Sequence, residues 1–194
     1  VIFWDDNQPT QLQSSIPTEQ KTLVIDPLNW GLFVPTKQSL TYYNFRGQKQ
    51  DSYSLSTPKR LAKSAINAQG THVYLMPKAS QDIYKIHRSQ KVESKLSIDA
   101  GNFSHIYQLQ DTQGKHNLLG TDQGTLYIDQ GKQLKKLHQF PQMITQIIQR
   151  SDQRYWVAVG ISEAYVMELN TSKIEGSKEV WKVAFKGTVK NVSI

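Results

Sequence analysis

The chain has 194 residues, 38% of them apolar, and a formal net charge of +7 from 23 basic and 16 acidic side chains. That length allows one or two domains with a sizeable core, and no apolar run approaches the roughly 20 residues a membrane-spanning helix needs. Cysteine is absent, which excludes disulfide staples, thiolate zinc sites and Cys nucleophiles.

The low apolar share suits thin sheets with polar outer edges better than one large α/β core. The chain starts at Val1, with no Met and no charged-then-apolar leader, so it reads as a processed or trimmed segment. Zero Cys fits an exported protein, so an extracytoplasmic, periplasmic location is expected ahead of a cytoplasmic one.

In chain order, the opening "VIFWDD" is a short apolar strand around Phe3 and Trp4. Strands follow at residues 21–25, 30–34, 40–44 and 49–55, each five to seven residues long and bounded by turn formers. The same order recurs at 61–68, 72–76, 82–86 and 91–98, and again at 103–109, 116–120, 125–129 and 132–140. A last round covers 143–148, 155–159, 163–167 and 178–185, and 189–194 begins another. Phe3, Tyr42, Tyr84, Tyr127 and Tyr165 hold equivalent places, 39, 42, 43 and 38 residues apart. A period near forty with four short strands per period is that of a propeller blade. The segment 177–192 offers a helical alternative, with Lys178, Lys182, Lys186 and Lys190 every four residues. Trp181, Val183 and Phe185 alternate with polar partners, however, and period two wins.

The expected fold is therefore all-β. It is a β-propeller or a propeller fragment, with about four complete four-stranded blades near 19–55, 61–98, 102–140 and 142–185. Partial blades at 1–16 and 187–194 flank them within a single domain or part of one. Facing blades should bury the recurrent aromatics. A ring closed by pairing 189–194 with 1–5 would lack one strand, so a piece of a larger propeller is preferred.

"GTDQGTLYID", from Gly120 to Asp129, resembles the Gly-Thr-x-x-Gly-Leu-Tyr signature of two-component-regulator propeller blades. Trp4-Asp5 resembles the dipeptide of a WD-type blade. The other blades depart from both patterns, with "VPT" at 34–36 and "GIS" at 160–162. The resemblance implies an extracytoplasmic sensory domain or a protein-docking platform.

Chemistry is sparse. The five histidines, His72, His87, His105, His116 and His138, form no metal-ligand spacing. No nucleophile elbow or phosphate-cradling loop occurs. Asp99, Asp122 and Glu163 lie in turns at one end of the array and are the carboxylates a propeller hydrolase or lyase would use, but turn chemistry explains such acids without catalysis. Lys132, Lys135, Lys136, Lys178, Lys182 and Lys186 fall along strands, where lysine protects sheet edges. The Asn-x-Ser/Thr sites at Asn102, Asn170 and Asn191 are at chance frequency. Tyr42, Tyr43, Phe45 and Arg46 could contact nucleic acid, yet they occupy the packing phase of the repeat.

The expected function is a non-catalytic recognition module, a sensory or scaffolding propeller. It would bind a protein partner or small ligand through Lys37, Lys59, Arg60, Lys78, Asp99, Asn102, Asp122 and Glu163, with no cofactor, metal or catalytic residue. The remaining blades of the same propeller are a further expected partner. The alternatives are a cytosolic docking propeller of a multiprotein assembly, a basic nucleic-acid-binding domain, and a propeller glycosidase or lyase.

Overall fold

The computed structural model describes residues 2–5, 8–11, 24–26, 31–44, 46–56, 60–67, 69–170 and 173–187. Every regular element among them is a β-strand. Strands β1 (Ile2–Asp5) and β2 (Gln8–Gln11) form an antiparallel hairpin in which Trp4 lies opposite Pro9. The segment 187–194, expected to start another blade, lies outside the described residues apart from Gly187.

Four four-stranded sheets follow, each an antiparallel meander of consecutive strands. The first joins β3 (Val24–Asp26), β4 (Gly31–Pro35), β5 (Ser39–Tyr43) and β6 (Lys49–Ser54). The second joins β7 (Leu61–Ile66), β8 (His72–Pro77), β9 (Asp82–His87) and β10 (Glu93–Ser97). The third joins β11 (Phe103–Asp111), β12 (Gly114–Thr121), β13 (Thr125–Asp129) and β14 (Leu134–Gln139). The fourth joins β15 (Ile144–Gln149), β16 (Tyr155–Gly160), β17 (Glu163–Asn170) and β18 (Lys173–Ala184). Short loops dictate this order, because two to six residues can join antiparallel neighbours but not parallel ones.

Of the contested segment 177–192, residues 177–184 are strand and 186–187 form a bend. β18 begins at Lys173, earlier than the pattern suggested, because β17 continues to Asn170 and its hairpin closes later. The extra residue at Val180 puts Lys178 and Lys182 on opposite faces, across from Glu168 and Tyr165, so the four-residue lysine spacing marks no single face.

The chain divides into two compact units, Val1–Lys95 and Leu96–Ile194, with the division inside β10. In the first, Val24, Phe33, Leu40, Val73, Leu75 and Ile86 bury the facing sides of the first two sheets. In the second, Leu109, Leu118, Leu126, Trp156, Tyr165 and Met167 do the same for the last two. There Tyr107 donates its hydroxyl to the Ile144 carbonyl at 2.5 Å, and Gln149 exchanges two bonds with the Gln110 backbone. These tie the first strands of the third and fourth sheets, β11 and β15, to each other.

The recurrent aromatics do not all hold one place: Tyr42 lies opposite Phe33, in the register of Lys85, Ile128 and Val166, one residue off Tyr84, Tyr127 and Tyr165, and their burial differs. Tyr165 is fully buried, whereas Tyr42, Tyr84 and Tyr127 are only partly so; the side chain of Phe3 lies outside the described residues. Aliphatic neighbours on the same strands, Leu40, Ile83, Ile86, Leu126 and Ile128, fill the interior instead. A Tyr hydroxyl must keep a polar partner, so it favours the margin of the interface.

Candidate recognition surface

In an antiparallel meander, the turn between a sheet's second and third strands lies at the same end as the segment entering its first strand. The sequence-derived site residues that are described all belong to this near end of their sheets. Lys78 N–H donates to the Arg60 carbonyl at 2.8 Å in the second sheet. In the third, Asp122 N–H donates to the Asn102 carbonyl at 2.9 Å, and the Asp122 carboxylate accepts from Asn102 N–H at 2.8 Å and Nδ2 at 2.9 Å. In the fourth, Ser162 N–H donates to Gln142 Oε1 at 3.0 Å. Each turn is thus pinned to the residues just ahead of its own sheet's first strand.

The turn glycine of "GTDQG" ties this turn instead to the segment between β14 and β15. Gly124 has a φ of +83°, and the carbonyls of Phe140 and Gln142 lie where a side chain would begin. Thr121 Oγ1 accepts from Thr125 N–H at 3.1 Å, and Phe140 N–H donates to the Gly124 carbonyl at 3.0 Å.

Glu163 lies in a network that spacing did not disclose. It accepts from the Tyr165 hydroxyl at 2.5 Å and Gln142 Nε2 at 3.2 Å, and it pairs with Lys182 at 3.1 Å. The Tyr165 hydroxyl and the Lys182 ammonium hold its carboxyl below the usual range. Burial, reinforced by that carboxylate, pushes Tyr165 up to about 12. Bonds from Asn102 hold Asp122 below its usual value as well. Two of the three acids suited to catalysis therefore serve as hydrogen-bond acceptors that stay ionised. Asp99 is exposed, as are Lys37, Arg60 and Lys78; Lys59 lies outside the described residues.

The opposite, far end carries a feature the sequence reading missed. In the first unit, Arg88 follows β9 and its Nη1 donates to Asp26 Oδ2 at 2.7 Å and to the Gly70 carbonyl at 3.2 Å. Its guanidinium lies 5.1 Å from the Phe33 ring and 4.9 Å from the Tyr42 ring. Gly31 is required here, because any Cβ would occupy the space of the Tyr42 ring. Burial, then the Asp26 charge, raises the Tyr42 hydroxyl, with Arg88 opposing. A recess of about 490 Å³ opens beside this group, with Gln50, Tyr53, Thr71 and His87 among its lining residues. Such a recess can orient a polar ligand, but Arg88 is pinned as a structural cation. Asp26 ends an apolar strand and Arg88 opens a turn, and nothing in their spacing of 62 residues links them.

In the second unit a recess of about 390 Å³ lies among Asp111, Asp152, Arg154 and Glu168. Burial opposes ionisation of Asp111, but bonds from His116 and from the Ile174 and Gln113 amides outweigh it and lower its pKa. Arg154 binds Glu168 through Nε and Nη2 at 3.0 and 2.8 Å. Among the described residues no group of three or more His, Asp or Glu side chains is placed to hold a metal ion, and no helix is long and apolar enough to cross a membrane.

No protein-family model and no curated protein matches the chain. Solved structures do match in fold. Hydrazine synthase of Kuenenia stuttgartiensis aligns with a TM-score of 0.63 at 14% identity, over 91% of this chain and 51% of that one. The β-propeller domain of Myceliophteria thermophila Cps50 (Swd1) aligns with a TM-score of 0.57 at 12% identity, over 83% of this chain and 57% of that one. The chain thus spans little more than half the length of each. Identities this low bear on the fold alone, and with four antiparallel four-stranded sheets in succession the chain is all-β with the β-propeller fold.

Proposed function

We propose that the chain is a non-catalytic recognition module, a sensory or scaffolding propeller that docks an acidic protein partner on the near end of its first unit. One observation carries this reading. In the first unit Lys37, Arg60 and Lys78 are exposed at the near ends of their own sheets; in the second, the near-end acids Asp122 and Glu163 are engaged in internal bonds. A fixed scaffold with exposed cations suits complementary binding and steering. The fold's general use as an interaction platform supports it by analogy. An extracytoplasmic location accords with the absence of cysteine.

The test is fluorescence anisotropy with a labelled Glu/Asp-rich peptide and, in parallel, a single-stranded oligonucleotide of equal charge. Joint reversal of Lys37, Arg60 and Lys78 to Glu should weaken peptide binding at least roughly tenfold, about one decade per 1.4 kcal/mol. Asp122→Asn with Glu163→Gln should leave it unchanged. Tighter binding of the oligonucleotide would favour the nucleic-acid alternative instead. Glycan turnover that disappears in the Asp122→Asn, Glu163→Gln protein would overturn the non-catalytic reading.

A further inference from the structure

The four sheets share one cross-strand register. In the row that runs through the middle of each sheet, the second strand contributes Phe33, Tyr74, Leu118 and Val157 in turn. The first three are 0% exposed. Val157, at the same place in the fourth sheet, is partly exposed, as are its row neighbours Ile148 and Val166. The row ends on Trp181 of β18, opposite Val166, which is 65% exposed. The other face of this sheet packs Trp156, Tyr165 and Met167 into the second unit's core. The fourth sheet therefore carries on its opposite face an apolar row, Ile148, Val157, Val166 and Trp181, that is open to solvent and bordered on one side by Tyr155, Glu168 and Lys178.

We infer that this open face is a blade-to-blade interface, and that its occupant is a further four-stranded antiparallel blade contributed by polypeptide outside residues 1–194. The residue types are those of a buried row: Ile, Val, Val and Trp run across all four strands with no charge among them. Where two sheets of one unit meet, the corresponding side chains, Phe33 and Leu118, are sealed by their neighbour. The propeller domain that this chain matches is longer, with the aligned part covering 57% of it, so the fold accommodates additional blades. The outer edge of the sheet is guarded, because β18 carries a bulge beside Val180 and lysines at 178 and 182. Such edges resist strand addition, which leaves the face as the docking surface.

Acrylamide quenching of Trp181, isolated by difference against Trp181→Phe, tests this in the 194-residue chain and in the complete polypeptide its gene encodes. Trp181 should quench freely in the chain and at least about threefold less in the complete polypeptide, as expected for a ring moved from water into a packed interface. Val166→Lys should restore quenching there, and Val166→Ala should not. Trp181→Glu supplies a second variant, since the residue is exposed in the chain. It should leave the chain's Tm unchanged and lower that of the complete polypeptide by roughly 5 °C. Equal quenching in the two proteins would overturn the inference, as would a complete polypeptide with no further strands. So would protection that appears in the chain alone as its concentration rises, with a dimer mass by light scattering, because the occupant would then be a second copy.

Discussion

Replacing Arg88 by Met should destabilise the first unit more than replacing its partner Asp26 by Asn. Asp26 has a side-chain exposure of 0% and Arg88 of 20%, so the two halves of this 2.7 Å pair depend on each other unequally. Without Arg88, a carboxylate shut away from water loses its countercharge, and breaking a buried pair in this way costs about 3–5 kcal/mol. Without the Asp26 charge, the guanidinium still touches solvent, the Gly70 carbonyl and the rings of Phe33 and Tyr42. Half the loss, about 2 kcal/mol, is a reasonable figure once the residual hydration is counted. At roughly 2–4 °C per kcal/mol for a domain of this size, Arg88→Met should lower Tm by about 6–20 °C and Asp26→Asn by about 4–8 °C. The double variant Arg88→Met, Asp26→Leu should recover part of the loss, since no charge remains buried. Urea titrations with a shared m-value, followed by circular dichroism, would measure all three. A loss below about 1 kcal/mol for Arg88→Met, or a larger loss for Asp26→Asn, would refute the argument that burial sets the asymmetry.

Gly124→Ala should cost at least about 2 kcal/mol, because its φ of +83° strains any L side chain and two carbonyls already fill the Cβ position; differential scanning calorimetry reads it directly. Asp122 titrates below its usual value in the folded state. Its contribution to stability is therefore complete above about pH 5 and disappears as pH falls through the depressed value. Asp122→Asn should flatten that acid limb in a plot of urea midpoint against pH. Trp156→Phe should cost about 1–2 kcal/mol, since a fully buried ring shrinks and the bond from its Nε1 to Ser177 Oγ at 3.1 Å is lost; equilibrium urea unfolding checks it.

Much of the architecture was legible because strand chemistry is local. Four short alternating segments per forty residues, punctuated at Gly70, Gly101, Gly124 and their equivalents, leave few choices but a meander. The turn at "GTDQG" was readable for the same reason: a hairpin needs a positive φ, and Gly124 supplies it. Lys173–Ser177 escaped notice because its one core residue, Ile174, stands alone among polar neighbours and makes no alternating run.

The site was legible only in part. Placing Asn102, Asp122 and Glu163 at one end followed from counting strands, but their roles did not. Whether Asp122 faces a ligand or its own backbone depends on a residue 20 positions earlier, and Glu163 depends on Gln142, Tyr165 and Lys182. Neither relation has a spacing signature. The far-end staple is more remote still, joining Asp26 to Arg88 across two sheets.

By itself, then, the sequence determined strand order, sheet size, turn positions and the exclusion of thiol chemistry, all consequences of local propensity and of period two. Only the tertiary structure decided which polar groups are already satisfied, which cation lies over aromatic rings, and which apolar row remains open. Those outcomes depend on side chains brought together from distant positions, where solvent exclusion sets the energy of each charge and each apolar surface.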